Sequence, residues 1–185
     1  MTFRGFIAAE VPAGPHLNAL TADLRDASPS LKVVRTDQLH LTIKFLGDTE
    51  DGLVPEIVAA IREATAGVRP FEIRLQGTGA FPSVARMSVI WVSVKGAEPL
   101  ARIAEALETS LESLGFPREG RPWKAHLTLA RVKGRRELDR ARRILEAHAD
   151  DAFGAHTVDA IVLKKSALAP DGARYSIVDA VRLTG

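Results

Sequence analysis

"HLTI" at residues 40–43 and "HLTL" at residues 126–129 are near-copies of one tetrapeptide, 86 positions apart. Each copy lies in a segment of strong β character, and side chains of a strand alternate between its two faces. The histidine and threonine of each copy are therefore predicted to share one face, while the aliphatic residues face a core. Continued along the strand, this alternation places Lys44 beside His40 and sends Phe45 into the core. The sequence thus predicts two strands that each present an imidazole and a hydroxyl.

The segments around the two copies repeat one order of elements. A strand, a helix, the motif strand and a second helix are predicted over about residues 3–66, and again over about 86–148. This order indicates an α+β fold of two related lobes that face each other and each contribute one motif strand. Between and after the repeats we expect a Gly-rich turn at "GTGAFPS" (77–83), a central strand at "MSVIWVSV" and two strands near 156–164 and 174–183.

Composition narrows the class of protein. The chain has 185 residues, of which 46% are hydrophobic, so it can bury a core. The sequence contains no run of eighteen apolar residues, so no transmembrane helix is predicted. The N-terminal segment does not resemble a secretory signal. The absence of cysteine excludes disulfides, thiolate metal sites and a cysteine nucleophile. A cytoplasmic protein, without membrane association or an obligate protein partner, is expected.

Positive charge is concentrated around the second copy of the motif. Residues 118–143 contain ten basic and three acidic residues, a net charge of +7, whereas the rest of the chain sums to −5. Such a patch is suited to bind a polyanion such as RNA. The alternative is that the arginines of residues 135–143 form only the solvated face of a helix.

Two opposed histidines suit displacement at phosphorus. One imidazole can accept a proton while the other donates one, and the attacking and leaving oxygens lie roughly in line across the phosphorus atom. The threonine hydroxyls can donate hydrogen bonds to the non-bridging phosphate oxygens. This chemistry requires no metal or other cofactor.

Three other functions compete for the same residues. A zinc site usually needs a third protein ligand, and no carboxylate or cysteine recurs beside either motif. A serine hydrolase needs a nucleophile elbow such as G-x-S-x-G, which the chain lacks. A passive RNA-binding module is typically marked by exposed aromatic residues on its sheet, but the chain has only 5% aromatic residues.

The segments "HLTIKFLGD" and "HLTLARV" resemble the paired H-x-T-x signatures of the two-histidine (2H) phosphoesterase superfamily. More narrowly, they resemble its RNA 2′,3′-cyclic phosphodiesterase branch, also called 2′-5′ RNA ligase. Further similar segments are "FRGFIAAEVP", "GTGAFPS" and "SALAPDGARYSIV", so the likeness covers nearly the whole chain. It implies a single bilobal domain over residues 1–185, with two pseudo-twofold-related lobes of antiparallel sheet and outer helices around a central cleft.

The resemblance also implies an activity and assigns roles. The expected reaction is metal-independent hydrolysis of RNA 2′,3′-cyclic phosphate ends to 2′-phosphomonoesters, with 2′-5′ ligation as a possible reverse reaction. Small cyclic nucleotides are an alternative substrate. The resemblance makes His40 the acid that protonates the leaving 3′ oxygen and His126 the base that activates water. Thr42 and Thr128 would hold the phosphate oxygens.

Further substrate-binding residues are expected near the motifs. The resemblance assigns phosphate binding to Arg131, although strict alternation from His126 sends its side chain to the opposite face. Either a β-bulge or the end of the strand re-aims this side chain, or Arg131 binds elsewhere. Lys44 and Lys124 are expected to share the faces of their histidines and to contact phosphate. Two aromatic residues are candidates for stacking on a nucleobase: Phe81 and Trp123. Relatives commonly carry proline before the second histidine, where this chain has Ala125, which is expected to face the core.

Overall fold

The computed structural model describes residues 1–169 and 172–185, and their strands form two antiparallel sheets. The four-stranded sheet has the order β3-β1-β8-β9 and the five-stranded sheet the order β2-β6-β5-β4-β7. Each sheet therefore contains one motif strand, β3 or β6. The strands are β1 Thr2–Glu10, β2 Leu31–Val33, β3 His40–Glu50, β4 Phe71–Phe81, β5 Val89–Lys95, β6 His126–Val132, β7 Ala152–Val158, β8 Ala160–Ala169 and β9 Gly172–Arg182.

Four helices cover the outer faces of these sheets: α1 Pro15–Ala27, α2 Val54–Ala64, α3 Glu98–Glu112 and α4 Asp139–Ala147. Helices α1 and α4 pack against each other and against strands of the five-stranded sheet. Helices α2 and α3 pack against each other and against β9 and β3 of the four-stranded sheet. The predicted α+β fold with two antiparallel lobes and outer helices is thus confirmed.

The lobes do not coincide with the two halves of the chain. Helix α1 and strand β2 come from the first repeat but belong to the second lobe, whereas α3 from the second repeat covers the first lobe. Each amphipathic helix buries its apolar stripe, such as Leu17, Leu20 and Leu24 of α1, in one core cluster that includes residues of both sheets. The chain thus crosses between the lobes at α1, β2 and α3, so the connections of each lobe pass through the other. This exchange of elements holds the two motif strands together.

Three local predictions were wrong. The segment "GTGAFPS" was expected to be a turn, but β4 continues to Phe81 through a register shift between Leu75 and Thr78. Gly77 makes that shift possible, since it adopts a φ of 77° and a Cβ there would lie 2.5 Å from the carbonyl oxygen of Ala149. Gly47 predicts the end of the first motif strand, but β3 continues to Glu50. The described C-terminal residues form the three strands β7, β8 and β9 instead of two.

Within the described residues, no helix is long and apolar enough to cross a membrane.

Candidate active site

The two motif strands lie next to each other although they belong to different sheets. Residues of β3 and β6 approach within 8 Å between Cα atoms. The indole Nε1 of Trp123, three residues before His126, donates a hydrogen bond of 2.9 Å to the carbonyl oxygen of Thr42. The positive charge of Arg131, in β6, is close enough to act on the imidazole of His40. The fold therefore brings both tetrapeptides to the junction of the two lobes, and we call the surface between their strands the cleft.

Each catalytic candidate has its ring fixed in the same way. His40 Nδ1 bonds to the carbonyl oxygen of Gln38 at 2.8 Å, and His126 Nδ1 bonds to the carbonyl oxygen of Lys124 at 2.9 Å. A carbonyl oxygen can only accept, so Nδ1 carries the hydrogen in both rings. Nε2 is then the nitrogen that gains or loses a proton at each histidine. The two sites share a tautomer and differ only in their surroundings.

Both strands also break their alternation at the same point. The burial pattern is identical over the first six residues of β3 and of β6, with positions four and five both buried and position six exposed. In each strand the register with its neighbour shifts there: between Ile7 and Ala8 opposite β3, and between Ile90 and Trp91 opposite β6. These β-bulges turn the sixth residue back to the face of the histidine.

The bulge in β6 settles where Arg131 points. As the sixth residue of its strand it is exposed, and its charge lowers the pKa of His40, so its guanidinium lies on the cleft side. The sixth residue of β3 is Phe45, which is 59% exposed, with its ring centroid 6.4 Å from that of Phe6. The prediction that Phe45 enters the core was wrong, because the bulge reverses the strand's faces before it.

The same bulge overturns the prediction for Lys44. This residue is fully buried on the core side and cannot reach a phosphate in the cleft. Its Nζ donates to Glu108 Oε1 at 2.8 Å and to the carbonyl oxygen of Pro117 at 3.0 Å. Glu108 in turn accepts a hydrogen bond from the backbone N–H of Glu119. Lys44 therefore ties β3 to the segment that leads into the second motif, and its role is positional.

His40 is half-buried among aromatic rings. The centroid of Phe6 lies 4.9 Å from that of His40, and the ring of Tyr175 meets the imidazole edge-on at 5.0 Å. Behind them, Lys164 is buried and donates a hydrogen bond of 2.6 Å to Glu10, the residue that pairs with His40 across β1 and β3. Neither Tyr175 nor Lys164 was predicted to lie here. Tyr175 belongs to β9 and Lys164 to β8, so both are more than 120 positions after His40 in the sequence.

These surroundings lower the pKa of His40 below its ordinary value of 6.5. Burial is the main cause, since it disfavours the charged imidazolium. The hydrogen bond with Gln38 acts in the opposite direction, as does the carboxylate of Glu10, while Lys164 and Arg131 lower the pKa further. The free protein therefore holds His40 mainly neutral at pH 7, and its imidazolium is a stronger acid than free histidine.

One of the predicted substrate-binding residues, Phe81, is an aromatic neighbour of His126. The ring of Phe81, which is 37% exposed, stands nearly perpendicular to the imidazole at a centroid distance of 5.2 Å. Phe81 also contacts Trp91, which pairs with Thr128 across β5 and β6. The structure thus brings Phe81 to the cleft, beside the second histidine.

Trp123 and Lys124 occupy the segment before β6. The indole of Trp123 is half-buried against the core and bonds to Thr42, so it connects the lobes, and base stacking by this residue stays a prediction. The side chain of Lys124 is exposed, and phosphate binding by it stays a prediction too. Ala125 packs against the core as expected.

A cavity lies next to the start of β3, between Leu39 and the end of β1. It measures about 600 Å³, and its lining includes Glu10, Asp37, Leu39 and Asp159 but neither motif histidine. Its carboxylates disfavour a phosphate, so we place the chemistry at the motif strands, where Arg131 supplies positive charge. No three potential ligands among the described His, Asp and Glu residues converge on a point that could hold a metal ion.

The chain is similar to several known proteins. A family model described as the 2′-5′ RNA ligase superfamily matches residues 9–168. The chain is 31% identical to an RNA 2′,3′-cyclic phosphodiesterase of Methanothermobacter thermautotrophicus, over 99% of this chain and 100% of that protein. It is 36% identical to one of Aeropyrum pernix, over 82% and 86% of the two chains. The crystal structure of TT0787 of Thermus thermophilus superposes with a TM-score of 0.76 at 28% identity, covering 97% of each chain.

Proposed function

Because the chain belongs to the 2′-5′ RNA ligase superfamily, we propose that it hydrolyses the 2′,3′-cyclic phosphate end of an RNA to a 2′-phosphomonoester. The observation that carries the proposal is the matched mounting of His40 and His126, each with Nδ1 bonded to the carbonyl two residues earlier. Such a pair leaves two Nε2 atoms for proton transfer at opposite sides of one phosphate. The cytoplasmic location stays a prediction.

The reaction is a single in-line displacement. Neutral His126 takes a proton from water through Nε2, and the water oxygen forms a bond to phosphorus. The bond from phosphorus to the 3′ oxygen breaks, and protonated His40 donates its Nε2 proton to that oxygen. The product carries a 2′-phosphate and a 3′-hydroxyl, and the histidines exchange their protons with solvent. In the ligation direction, the 5′-hydroxyl of another RNA replaces water and forms a 2′-5′ phosphodiester.

The lowered pKa of His40 suits the acid role once substrate is bound. The cyclic phosphate carries a negative charge, and an adjacent anion raises the pKa of an imidazole. The proton is thus held while the phosphate is present and is released to the leaving oxygen. Thr42, Thr128 and Arg131 would hold the non-bridging oxygens, on which negative charge accumulates in the transition state.

The test is product analysis under chelation. The protein is incubated with an oligoribonucleotide ending in a 2′,3′-cyclic phosphate in excess EDTA, and the 2′- and 3′-phosphate products are resolved. We expect the 2′-phosphomonoester alone. Loss of activity on chelation, formation of the 3′-phosphate, or activity retained by the variant with both His40→Ala and His126→Ala would contradict the proposal.

A passive RNA-binding module is the alternative to be excluded. A binder should lose affinity for the cyclic-ended RNA in the double variant, because the histidines would serve only to grip the phosphate. An enzyme should instead lose mainly turnover and keep its affinity within a few-fold. Titration of the double variant, alongside the wild type and the 2′-phosphate product, separates the two.

A further inference from the structure

Lys32 is a cation in the cleft that the catalytic scheme does not use. It lies in the middle of β2, the edge strand of the five-stranded sheet, and pairs directly with Arg131 of β6. Residues that oppose each other in an antiparallel pair point to the same face. Since Arg131 faces the cleft and acts on His40, the exposed side chain of Lys32 faces the cleft as well.

The side chain of Lys32 extends across the opening between the lobes. A Cβ built on Gly172, the first residue of β9 in the other sheet, would lie 2.7 Å from Lys32 Cε and 3.1 Å from Lys32 Nζ. Gly172 also adopts a φ of 134°, which L side chains rarely adopt. Glycine at this position therefore leaves room for the lysine stem, and the ammonium lies beside the first residue of β9 in the other lobe.

The ammonium lies one strand further from the reaction centre than Arg131. Neighbouring strands are about 4.8 Å apart, so a flexible lysine stem places its charge within reach of a second anion beside the one at Arg131. If the cyclic phosphate occupies the site at the two histidines, the next anionic group of an RNA end is the phosphate on the 5′ side of the terminal nucleotide. Lysine binds such a group as a compact point charge.

We propose that Lys32 binds the phosphate on the 5′ side of the terminal nucleotide, and that this contact favours substrates that carry this phosphate over a nucleoside 2′,3′-cyclic phosphate. This inference rests on the proposed function. It predicts that a nucleoside 2′,3′-cyclic phosphate, which lacks the 5′ phosphate, is hydrolysed at the same centre but gains nothing from Lys32. Selection between RNA ends and small cyclic nucleotides thus depends on a residue outside both tetrapeptides.

The experiment compares three substrates. They are adenosine 2′,3′-cyclic phosphate, the same nucleotide with a 5′-phosphate, and an ApA dinucleotide with a 2′,3′-cyclic end. The variant is Lys32→Met, which keeps the stem against Gly172 and removes the charge, and Lys32→Arg is the conservative rescue. Arg62→Met, on the outer helix α2, is the matched loss of one exposed positive charge outside the cleft.

We expect Lys32→Met to lower kcat/KM about tenfold for the two substrates that carry the 5′-side phosphate, and less than about twofold for the nucleoside substrate. For those two substrates, the slope of log(kcat/KM) against log salt should become shallower by about 0.7, the value for one phosphate contact on a single strand. Lys32→Arg should restore most of the loss, and Arg62→Met should leave the ratio between substrates unchanged.

Other outcomes overturn the proposal. An equal loss on all three substrates would make Lys32 a structural residue, and no loss on any would remove it from the site. A loss confined to the dinucleotide would show recognition of the upstream nucleoside instead of the phosphate. If the wild type hydrolyses none of them, the proposed function fails. Titration with the 2′-phosphates of the same three compounds then still tests whether Lys32→Met weakens binding of the 5′-side phosphate.

Discussion

Strands β3 and β6 share one backbone geometry, but their histidines lie in two different chemical environments. Both begin with histidine, fix its Nδ1 on the carbonyl two residues earlier and bulge after the fourth residue. Their fifth residues are Lys44 and Ala130, and their sixth residues are Phe45 and Arg131. The imidazole of β3 is flanked by Phe6 and Tyr175 near the ion pair of Lys164 and Glu10, whereas that of β6 contacts Phe81.

This difference shows how two histidines on strands of the same backbone geometry can have different roles. The orientation of each ring depends on local backbone, which the two strands share. The proton affinity of His40 depends on burial and on charges supplied by β1, β6 and β8. The following predictions test whether the strands are equivalent in orientation and distinct in chemistry.

Replacing either histidine should have the largest effect. We expect His40→Ala and His126→Ala each to lower kcat by about 10²–10⁴-fold, the usual contribution of a positioned acid or base. The two variants should differ on a 2′-phosphate p-nitrophenyl ester, whose leaving group needs no protonation. His40→Ala should retain far more of the wild-type rate on that ester than His126→Ala. The reverse pattern would exchange the roles of acid and base.

Removing the guanidinium of Arg131 should have the next largest effect. Arg131→Met should lower kcat/KM about 10²-fold, because a charged donor to the transition-state oxygens is lost. Phe45→Ala alters the matching position of the other strand, where there is no charge, and should cost much less. Steady-state kinetics on a cyclic-ended dinucleotide compare the two. Equal losses would contradict the placement of phosphate on the β6 side of the cleft.

The buried ion pair at Lys44 should matter for stability more than for chemistry. Lys44→Ala leaves Glu108 without its cation in a largely buried site, and should lower the free energy of unfolding by about 3 kcal/mol. A double variant with Lys44→Met and Glu108→Gln removes both charges and should recover part of that loss. Urea denaturation measures both. A double variant less stable than Lys44→Ala would exclude the ion pair as the cause.

The pH dependence should move in opposite directions when the two members of the pair near His40 are changed. Because His40 must be protonated to act as an acid, kcat/KM falls as pH rises through its pKa, which lies below 6.5 in the free protein. Lys164→Met removes a charge that lowers this pKa and should move the falling limb to higher pH. Glu10→Gln removes a charge that raises it and should move the limb to lower pH.

The profiles of kcat/KM against pH, together with NMR titration of the His40 ring in each variant, provide the measurement. The contribution of His40 to stability depends on pH in the opposite direction to kcat/KM. A histidine whose pKa is lowered on folding favours the folded state above its unfolded pKa, and this contribution is lost as pH falls through the folded value. Shifts in the same direction for both variants would show that the charges do not act on His40 directly.

The smallest effect is expected at the contact between the lobes. Trp123→Phe keeps an aromatic side chain but removes the indole N–H that donates to Thr42. Loss of this hydrogen bond should lower stability by about 1 kcal/mol, the usual net contribution of one hydrogen bond. Activity should fall only a few-fold, since Lys44 and Glu108 still hold the segment before β6. Urea denaturation and kinetics on one preparation check both values. A loss as large as that of Arg131→Met would give Trp123 a direct role in substrate binding.

The sequence by itself determined the two motif strands and the face on which their histidines lie. Alternation holds over the four residues from His40 to Ile43 and from His126 to Leu129, because local β geometry fixes it without help from neighbours. The helix predicted before each motif strand is likewise present, as α1 and α3, since a helix buries one apolar stripe wherever it packs. The resemblance to a known family then supplied the fold that these elements form.

Only the tertiary structure decided what lies beyond the fourth residue of each motif. A bulge depends on the register with a neighbouring strand, and one extra residue reverses every face after it. This is why Lys44 and Phe45 were misassigned and why Arg131 reaches the cleft. Tyr175 and Lys164 come from β9 and β8, and no local pattern announces that they will pack beside His40. The orientation of each imidazole depends on the local backbone and could therefore be predicted from the sequence. The charges and aromatic rings around each imidazole come from distant strands, so only the tertiary structure shows them.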